Sequence, residues 1–530
     1  MKFVFQLLKR WVFPALTGFF YALALPPSNH GEMGWIALIP LLFAVEDCRP
    51  AEAFRRGYVA GLVFFGLTTW WIIHVSLPGM VALIAFLALY FGLAALFIRW
   101  VTDRNDTDAV WKNFLAVVVS AAGWVTLEWV RGTFPLGGFG WNGLGVTQHA
   151  LTPVFQFARF TGIYGVSALV FVVNFGLYCT IRRYLRNLGS GTPTQRLSWE
   201  FYGVMTLFCL AMFDGVQEIK NNRQEPVTRA LRLALVQGNI PQNLKFDERQ
   251  KPLIFDRYRT LTETATWTQV DLIIWPETAT PDALRYDPET YALVTNVTAT
   301  SQANLLTGTI DFTPHTDPLE AFNAAALIRP DGFIAGIYRK IHLVPFGEYV
   351  PLRKIGPFLK WFTPVTDSFE RGHDTTLFNV RGFMFGTVIC FEDTLPDLYR
   401  QFVKRGADFM VNLTNDAWFK DSPAAEIHLA NAVFRAVENR RSLVRCSNHG
   451  VTCLIDPAGF VRHQAAPFTT ATLAFTLLVP RELPLTFYTQ HGDIFIGGCA
   501  LVALAGVGLA WKTSTRNSAP VQPVSDRNDV

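Results

Sequence analysis

The sequence predicts a two-part fold: α/β plus membrane helices, with eight helices in the membrane and one α/β domain inserted between the seventh and the eighth. Only 17% of the 530 residues are charged and 50% are hydrophobic, whereas an ordinary soluble domain carries about 25% charged residues. The charges are also uneven, with 29 in residues 1–225 and 59 in the remaining 305. The first part therefore has the composition of a membrane domain and the second that of a globular domain.

Net charge and cysteine usage exclude several classes of function. A net charge of +4 is small and dispersed for a chain of this length, so no nucleic-acid partner is expected. Seven cysteines without a Cys-x-x-Cys pair indicate neither a disulfide framework nor a zinc site. We expect no metal and no cofactor.

Apolar stretches that could cross about 30 Å of hydrocarbon predict the membrane helices. There are eight of them, of which the second and seventh are short: residues 11–25, 34–45, 57–75, 80–98, 114–130, 162–181, 201–213 and 494–511. The predicted domains are a transmembrane domain at 1–220, a globular domain at 221–490, a last membrane helix at 491–512 and a disordered tail at 513–530.

Lys and Arg residues near the ends of these stretches predict the orientation, because basic loops tend to stay in the cytoplasm. With the N-terminus inside, the short opposite loops hold only Arg131 and Arg159. The cytoplasmic side then holds Lys2, Lys9, Arg10, Arg49, Arg55, Arg56, Arg99, Arg104, Lys112, Arg182, Arg183, Arg186, Arg196, Lys512 and Arg516. We expect both termini in the cytoplasm and the globular domain outside it.

The globular part alternates short β-branched runs with turns and helical stretches, which predicts a two-layer or sandwiched α/β domain of about 250 residues. Two hairpins, at residues 324–338 and 451–463, bend at Pro and Gly, and residues 425–440 form an amphipathic helix. The predicted buried strands are residues 231–236, 271–275, 304–310, 383–390, 408–413 and 442–447.

Three segments of this domain carry more polar chemistry than folding requires. Glu277 follows a strand in Trp-Pro-Glu-Thr, and Lys340 precedes the proline-bounded loop that contains Glu348. Cys390 ends an apolar strand and is followed at once by Phe391 and Glu392. Each has an ordinary interpretation, as a loop carboxylate, a surface charge or an inert core thiol. Open α/β sheets, however, bind ligands at the carboxyl ends of their strands.

In their order along the chain, Glu277, Lys340 and Cys390 resemble the Glu-Lys-Cys triad of the nitrilase, or carbon–nitrogen hydrolase, superfamily. More narrowly, Val-Gln-Gly-Asn-Ile-Pro-Gln at 236–242, Pro-Phe-Gly-Glu-Tyr-Val-Pro at 345–351 and Thr-Asn-Asp-Ala-Trp-Phe at 414–419 resemble the apolipoprotein N-acyltransferases, its integral-membrane branch. The resemblance spans nearly the whole chain. It implies eight membrane helices and an inserted nitrilase-like α/β sandwich.

These residue types allow acyl transfer through a thioester. Glu277 would act as general base on the Cys390 thiol, and Lys340 would hold the developing oxyanion. The resemblance implies that Glu348 and Glu392 support the triad. Phe246, Phe391, Asn415 and Trp418 are the expected substrate contacts, with loop packing as an equal alternative for Asn415 and Trp418. The family often has Trp and Tyr where Phe246 and Phe391 stand.

The resemblance also implies the partners and the location. A phospholipid would donate the acyl chain, and the α-amino group of a diacylglyceryl-modified N-terminal Cys of an apolipoprotein would accept it. The protein would lie among the lipids of the bacterial inner membrane with its catalytic domain in the periplasm. Lipid substrates agree with the composition, since a soluble hydrolase would gain nothing from eight apolar helices.

Several alternatives remain open at the level of sequence. A membrane-anchored nitrilase-type amidase would hydrolyse its thioester, although one anchor would suffice for it. A transporter with an external domain would need intramembrane charges, for which Glu128 is the clearest candidate. His342 and His428 are further acid–base candidates, and Cys446 and Cys453 could form a disulfide or remain free thiols.

Overall fold

A computed structural model of the chain describes residues 7–102, 110–190, 198–222, 227–245, 247–314, 316, 319–351, 368–482 and 484–517. Phe246 and residues 518–530 of the predicted tail lie outside the described residues. The last helix, Ile494–Asn517, includes residues 513–517, which the sequence assigns to that tail.

The N-terminal part is helical. Five helices within the described residues are long and apolar enough to cross a membrane, and they coincide with five of the eight predicted spans: Pro50–His74, Leu77–Thr102, Val110–Thr133, Ile163–Asn187 and Trp199–Asn221. Shorter apolar helices lie at Gly31–Val45 and Ile494–Gly508, and a further helix, Phe13–Leu23, begins next to Pro14.

Large apolar side chains are exposed along these helices. Val81, Val118, Phe213 and Leu501 are examples, each more than half exposed. Exposed apolar surface on this scale is typical of a surface that lipid or another protein covers. The helices therefore have the surface expected of membrane segments.

Glu128 is the carboxylate that a transporter would need, and the structure gives it a local role. It accepts hydrogen bonds from Trp124 Nε1, Leu144 N and Ser167 Oγ, at 3.2, 3.0 and 2.5 Å. Because backbone and side-chain donors fill this buried carboxylate, it fixes the loop that begins after Trp141.

The C-terminal part contains two six-stranded sheets, in the orders β12-β1-β2-β3-β4-β5 and β11-β10-β9-β8-β7-β6. The strands are β1 Thr228–Gln237, β2 Leu272–Ile274, β3 Asn304–Thr313, β4 Glu320–Ile328, β5 Ile334–Arg339, β6 Leu377–Val380, β7 Phe383–Ile389, β8 Phe409–Thr414, β9 Leu443–Ser447, β10 Cys453–Ile455, β11 Val461–Arg462 and β12 Ala471–Pro480. β1, β2 and β3 are parallel, as are β7, β8 and β9. All six predicted strands and both hairpins are confirmed.

Alternation of side chains along the strands produces the layers. In β1, Leu233 and Leu235 belong to the core between the sheets, whereas Ala234 and Val236 pack with residues of the helices that cover the outer face. The helices of this domain are Lys251–Ala265, Pro288–Ser301, Pro396–Lys404, Ala424–Asn439 and Phe487–His491. The domain is thus a sandwich, which decides between the two architectures left open by the sequence.

The helix Ala424–Asn439 contacts the membrane part of the chain. Trp141 stacks on His428, with ring centroids 4.9 Å apart, and Asn431 Oδ1 accepts a hydrogen bond from Asn142 N at 3.0 Å. Further along the helix, Glu438 Oε1 accepts one from Ile163 N at 2.8 Å. These contacts hold the α/β domain directly against the helical part.

Candidate active site

Glu277 lies at the end of β2, after the buried Trp275 and Pro276. The next residue, Thr278, has a φ of +42°, a left-handed conformation that costs energy for a β-branched residue. β3 passes so close that a Cβ on Gly308 would lie 2.5 Å from Pro276 O and 2.6 Å from Glu277 Cα. The turn that carries Glu277 is therefore tightly constrained by the sheet beside it.

Lys340 follows β5, and its ammonium is buried between two carboxylates. Lys340 Nζ lies 2.9 Å from Glu348 Oε1 and 3.7 Å from Glu277 Oε1. Asn323, on β4, donates from Nδ2 to the same two oxygens, at 2.8 and 2.7 Å. One amide and one ammonium thus hold both carboxylates in place.

Glu348 is held by its own loop. Its Oε2 accepts a hydrogen bond from Val344 N at 2.8 Å, and the loop closes where Phe346 N donates to Tyr349 O, also at 2.8 Å. Phe346 has a φ of +62°. Each of the three sequence motifs therefore contains one non-glycine residue with positive φ, since Thr278 and Cys390 are the other two.

Cys390 follows β7 of the opposite sheet and begins the short helical turn Cys390–Thr394. Its φ of +56° is strained for a residue with a Cβ. Asn412 Nδ2 donates to Cys390 O at 2.9 Å, which fixes the turn from the neighbouring strand. Cys390 as a residue is half-buried, whereas Cys446 and Cys453 are buried.

Burial and nearby charges set the protonation of these groups. Burial raises the pKa of Glu277, and the carboxylate of Glu348 raises it further against the opposing effect of Lys340. Burial likewise raises the pKa of Cys390, with the Glu277 carboxylate adding to the shift. Burial alone would lower the pKa of Lys340, but Glu348, Cys390 and Glu277 outweigh it and raise that pKa. The resting site therefore contains a neutral thiol, a cationic lysine and a carboxyl group that titrates above its usual range.

Glu392 links two segments of the site through hydrogen bonds to their backbone. Its Oε1 accepts hydrogen bonds from Ile341 N and His342 N, both at 2.9 Å, and its Oε2 accepts one from Ile389 N at 2.8 Å. Tyr338 Oη donates to the same carboxylate. Glu392 thus ties the turn of Cys390 to the segment that follows Lys340, and burial raises its pKa to about 7.

Aromatic side chains connect the site to the membrane part. The Phe391 ring lies 5.5 Å from Lys340 Nζ on one side. It also packs against an apolar cluster that joins the two parts of the chain. That cluster consists of Trp71, Trp141, Ala424 and Ile427, with Ile72, Phe139, Phe391 and Phe419 packed against it.

Two of the other expected substrate contacts, Asn415 and Trp418, lie in the described segment that follows β8. Trp418 is 41% exposed in the short turn Asp416–Phe419. Both ends of the Asn415 amide are engaged: Nδ2 donates to Gln242 Oε1 at 2.7 Å, and Oδ1 accepts from Asn448 Nδ2 at 2.9 Å. Asn415 therefore organises the two loops around the site.

The structure also shows the surroundings of His342, His428, Cys446 and Cys453. His428 is buried between two carboxylates, with Nε2 2.8 Å from Asp393 Oδ1 and Nδ1 3.0 Å from Asp416 Oδ1. Burial lowers the pKa of His342, and Arg371 lowers it further. Cys446 and Cys453 are both free thiols, because their positions on β9 and β10 are offset by one residue, with Arg445 opposite Cys453.

Two residues of the site went unnoticed in the sequence. Asn323 interrupts the apolar segment that becomes β4, and a polar residue at a core position of a strand is a usable signal. Lys245 is buried beside Glu277 and donates from Nζ to Glu277 O at 2.8 Å. Nothing in the local sequence pattern distinguishes it from a surface lysine, because its partner, Glu277, is distant along the chain.

Comparison with known proteins matches both parts of the chain to family models. The family model of the apolipoprotein N-acyltransferase N-terminal domain matches residues 17–176, and that of the carbon–nitrogen hydrolases matches residues 232–480. Among solved structures, Saccharomyces cerevisiae Nit3, a member of branch 10 of the nitrilase superfamily, is 19% identical with a TM-score of 0.37, covering 50% of this chain and 95% of that one.

Curated relatives extend the match to nearly the whole chain. The apolipoprotein N-acyltransferase of Geobacter metallireducens is 32% identical over 516 residues, 95% of each chain. That of Chlorobaculum tepidum is 29% identical and covers 94% of this chain and 96% of its own. The similarity includes both the membrane helices and the α/β sandwich, and the chain belongs to the apolipoprotein N-acyltransferase family.

Proposed function

We propose that this protein transfers an acyl chain from a phospholipid, through a thioester on Cys390, to the α-amino group of the diacylglyceryl-modified N-terminal Cys of apolipoproteins. The observation that carries the proposal is the convergence of Glu277, Lys340 and Glu348 beside the turn of Cys390. A relative that matches 95% of the chain is named an apolipoprotein N-acyltransferase.

The first step forms the thioester. Cys390 Sγ attacks the ester carbonyl of the phospholipid while Glu277 accepts the thiol proton. The C–S bond forms, the ester C–O bond breaks, and the lysophospholipid oxygen takes the proton from Glu277 as it leaves. The raised pKa of Glu277 suits the first proton transfer, because it makes the carboxylate a stronger base toward the thiol.

Lys340 stabilises the oxyanion that develops on the carbonyl oxygen. Its ammonium is buried, its pKa is raised by the neighbouring anions, and two carboxylates fix its position. A fixed cation in a site sheltered from water stabilises transition-state charge without reorganisation.

The second step transfers the acyl chain. The α-amino group of the lipoprotein attacks the thioester carbonyl, a C–N bond forms, and the C–S bond breaks to release the Cys390 thiolate. Glu277 takes a proton from the attacking amine and returns it to the thiolate. The amide product leaves the enzyme in its starting state, so the cycle needs no cofactor.

An apolar route supports lipid substrates. Phe391 is adjacent to Cys390 and packs against the apolar cluster that includes Trp71 and Trp141 of the membrane part. Trp70 and Ile73, close to Trp71 in the chain, are exposed. Acyl chains moving from the bilayer toward Cys390 along these side chains would stay out of water. Exclusion of water in turn favours aminolysis of the thioester over hydrolysis. We include Phe246 and Trp418 in the substrate contacts.

We further propose that all eight predicted stretches cross the inner membrane, with both termini in the cytoplasm and the α/β domain in the periplasm. The basic residues assigned to the inner side support this orientation. Arg182 and Arg186 pair there with Glu46. The two exceptions on the outer side, Arg131 and Arg159, are both buried: Arg131 donates to Trp141 O, and Arg159 pairs with Asp214.

The two alternatives have less support. An amidase that hydrolyses its thioester does not explain the N-terminal helices or their match to the family model. For a transporter, the clearest intramembrane carboxylate is Glu128, whose oxygens are already hydrogen-bonded to a loop, a serine and a tryptophan.

The test is to follow the acyl chain. Purified full-length protein is mixed with phospholipid labelled in its acyl chain, and the adduct is located by mass spectrometry. We expect a thioester on Cys390 that is absent from Cys390→Ser. Cys446→Ser is the matched control, because it removes a buried thiol whose hydrogen bonds to Val236 O and Ile274 O a serine can keep.

Addition of a diacylated lipopeptide should then discharge the adduct into an N-acylated peptide. Release of the label as free fatty acid, with no acylated peptide, would support the amidase instead. Absence of any adduct on intact protein would refute the acyl-enzyme mechanism.

A further inference from the structure

Lys245 is a second buried lysine at the site, and the mechanism above gives it no role. It lies in the loop between β1 and the helix Lys251–Ala265 and is 3% exposed. Its Nζ donates to Glu277 O at 2.8 Å and to Thr278 Oγ1 at 3.1 Å. An ammonium this deeply buried is costly unless charge and hydrogen bonds compensate for the lost water.

The two acceptors belong to the strained turn described above. Thr278 has positive φ, and Gly308 blocks the turn from the side of β3. Lys245 holds it through one backbone carbonyl and one hydroxyl. The turn is therefore fixed by both a strand and an ammonium group, and the direction of the Glu277 side chain depends on both.

The charge of Lys245 acts on Glu277 as well. Around the Glu277 carboxylate, the charged groups are Lys340 and Lys245, which lower its pKa, and Glu348, which raises it; Asn323 adds a hydrogen bond that lowers it. Burial lowers the pKa of Lys245 itself to about 7, and Glu277 opposes that shift. The two groups thus stabilise each other's charged forms.

We infer that Lys245 is a positioning residue for Glu277: it holds the Glu277–Thr278 backbone in its strained conformation and supplies positive charge that keeps the Glu277 carboxylate ionised. The inference rests on the proposed role of Glu277 as the general base. It adds to the Glu-Lys-Cys arrangement a second cation, which acts on the base and leaves the oxyanion to Lys340.

The experiment measures alkylation of Cys390 by iodoacetamide against pH, in the purified full-length protein and without any lipid. Alkylation needs Glu277 ionised to accept the thiol proton, so its rate falls as pH drops through the pKa of Glu277. Loss of the Lys245 charge raises that pKa, and the midpoint should move upward by about one pH unit. Lys245→Met removes charge and donors, whereas Lys245→Gln removes the charge and keeps an amide donor.

We expect the upward shift in both variants, with Lys245→Gln retaining more of the wild-type Tm. Lys251→Gln is the matched control, because Lys251 lies in the same region but pairs with Asp282 and Asp287, and its midpoint should not move. Phospholipid acylation of Cys390 should show the same shift.

The outcomes separate the two claims. If the alkylation rate of the wild type does not fall at low pH, or falls in the same way in Glu277→Gln, the proposed base is wrong and the role of Lys245 is refuted with it. If the fall depends on Glu277 but its midpoint is unchanged in folded Lys245→Gln, only the inference about Lys245 is overturned.

Discussion

Lys340 is closer to Glu348 than to Glu277: its Nζ lies 2.9 Å from one carboxylate and 3.7 Å from the other. Glu348 is therefore the main counter-ion of the buried lysine. Glu277 is left with a weaker pairing and a raised pKa, which is the condition a general base needs near neutral pH.

Replacing Glu348 should disturb both neighbours. In Glu348→Gln the like charge that raises the pKa of Glu277 is gone, and Lys340 is free to pair with Glu277. Both effects lower that pKa, so the acid limb of the pH–rate profile should move to lower pH by roughly one unit. Because Lys340 is then drawn away from the oxyanion, acylation should slow roughly 100-fold.

The measurement is single-turnover acylation of Cys390 across pH. Glu370→Gln provides the control, since it removes the same charge from an exposed position and should change neither rate nor midpoint. A limb that moves upward in Glu348→Gln would contradict the assignment of Glu348 as the counter-ion.

Glu392 should contribute to stability as well as to the shape of the site. Glu392→Gln replaces one acceptor oxygen by a donor that faces backbone N–H groups, leaving at least one of them unpaired. The cost should be about 1–3 kcal/mol, seen as a lower Tm. Tyr338→Phe removes only one hydroxyl donor and should cost about 1 kcal/mol.

The same carboxyl group predicts a pH dependence of unfolding. Its pKa is about 7 in the folded protein and about 4.3 in an unfolded chain. Its contribution to the free energy of unfolding is complete below about pH 4.3. The contribution is lost as the pH rises to about 7, because between these values only the folded state still holds the proton. Between pH 5 and 8 the decline in Tm should be smaller in Glu392→Gln; an identical decline in both proteins would contradict the raised pKa.

Trp141 should couple the membrane part to the site. Its ring stacks on His428, and its ring centroid lies 5.5 Å from that of Trp71. His428 in turn forms a hydrogen bond with Asp393 in the turn of Cys390. Trp141→Ala should lower stability by about 3–5 kcal/mol and slow acylation by phospholipid about 10-fold or more. Trp141→Phe keeps an aromatic ring and should be milder.

Alkylation of Cys390 by iodoacetamide should be nearly unchanged in Trp141→Ala, since neither Glu277 nor Lys340 contacts Trp141. The comparison therefore separates lipid access from thiol reactivity. Equal losses in both assays would show that Trp141 acts on the thiol through the fold and that the apolar route is not its role.

Labelling of introduced cysteines tests the orientation. In a Cys209→Ser, Cys390→Ser background, Trp267→Cys presents a thiol at a position that is 84% exposed in the α/β domain. Arg49→Cys presents one in a predicted cytoplasmic loop, where the native side chain is exposed. A membrane-impermeant maleimide should label the first in intact spheroplasts and the second only after permeabilisation. The reverse pattern would invert the topology.

Local patterns account for what the sequence predicts well. Apolar length predicts the five long membrane helices, and β-branched runs between turns predict the strands of the sandwich, because both signals depend on neighbours along the chain. The order of Glu277, Lys340 and Cys390 along the chain, each after a strand, indicates a triad through its resemblance to the nitrilase superfamily. Strand order alone does not bring the three together, since Cys390 follows a strand of the opposite sheet.

Contacts between distant strands explain what it could not predict. Asn323 reaches Glu277 from β4 and Lys245 reaches it from the loop after β1, while β9 and β10 keep Cys446 and Cys453 apart by one residue of register. Alternation along a strand gives the face of a side chain but not its partner across the sheet. The sequence by itself thus determined which part of the chain faces lipid and which faces water, the strands of the sandwich and the reactive groups. Only the tertiary structure decided which buried charges lie beside the base, because burial and electrostatic coupling depend on distances in space.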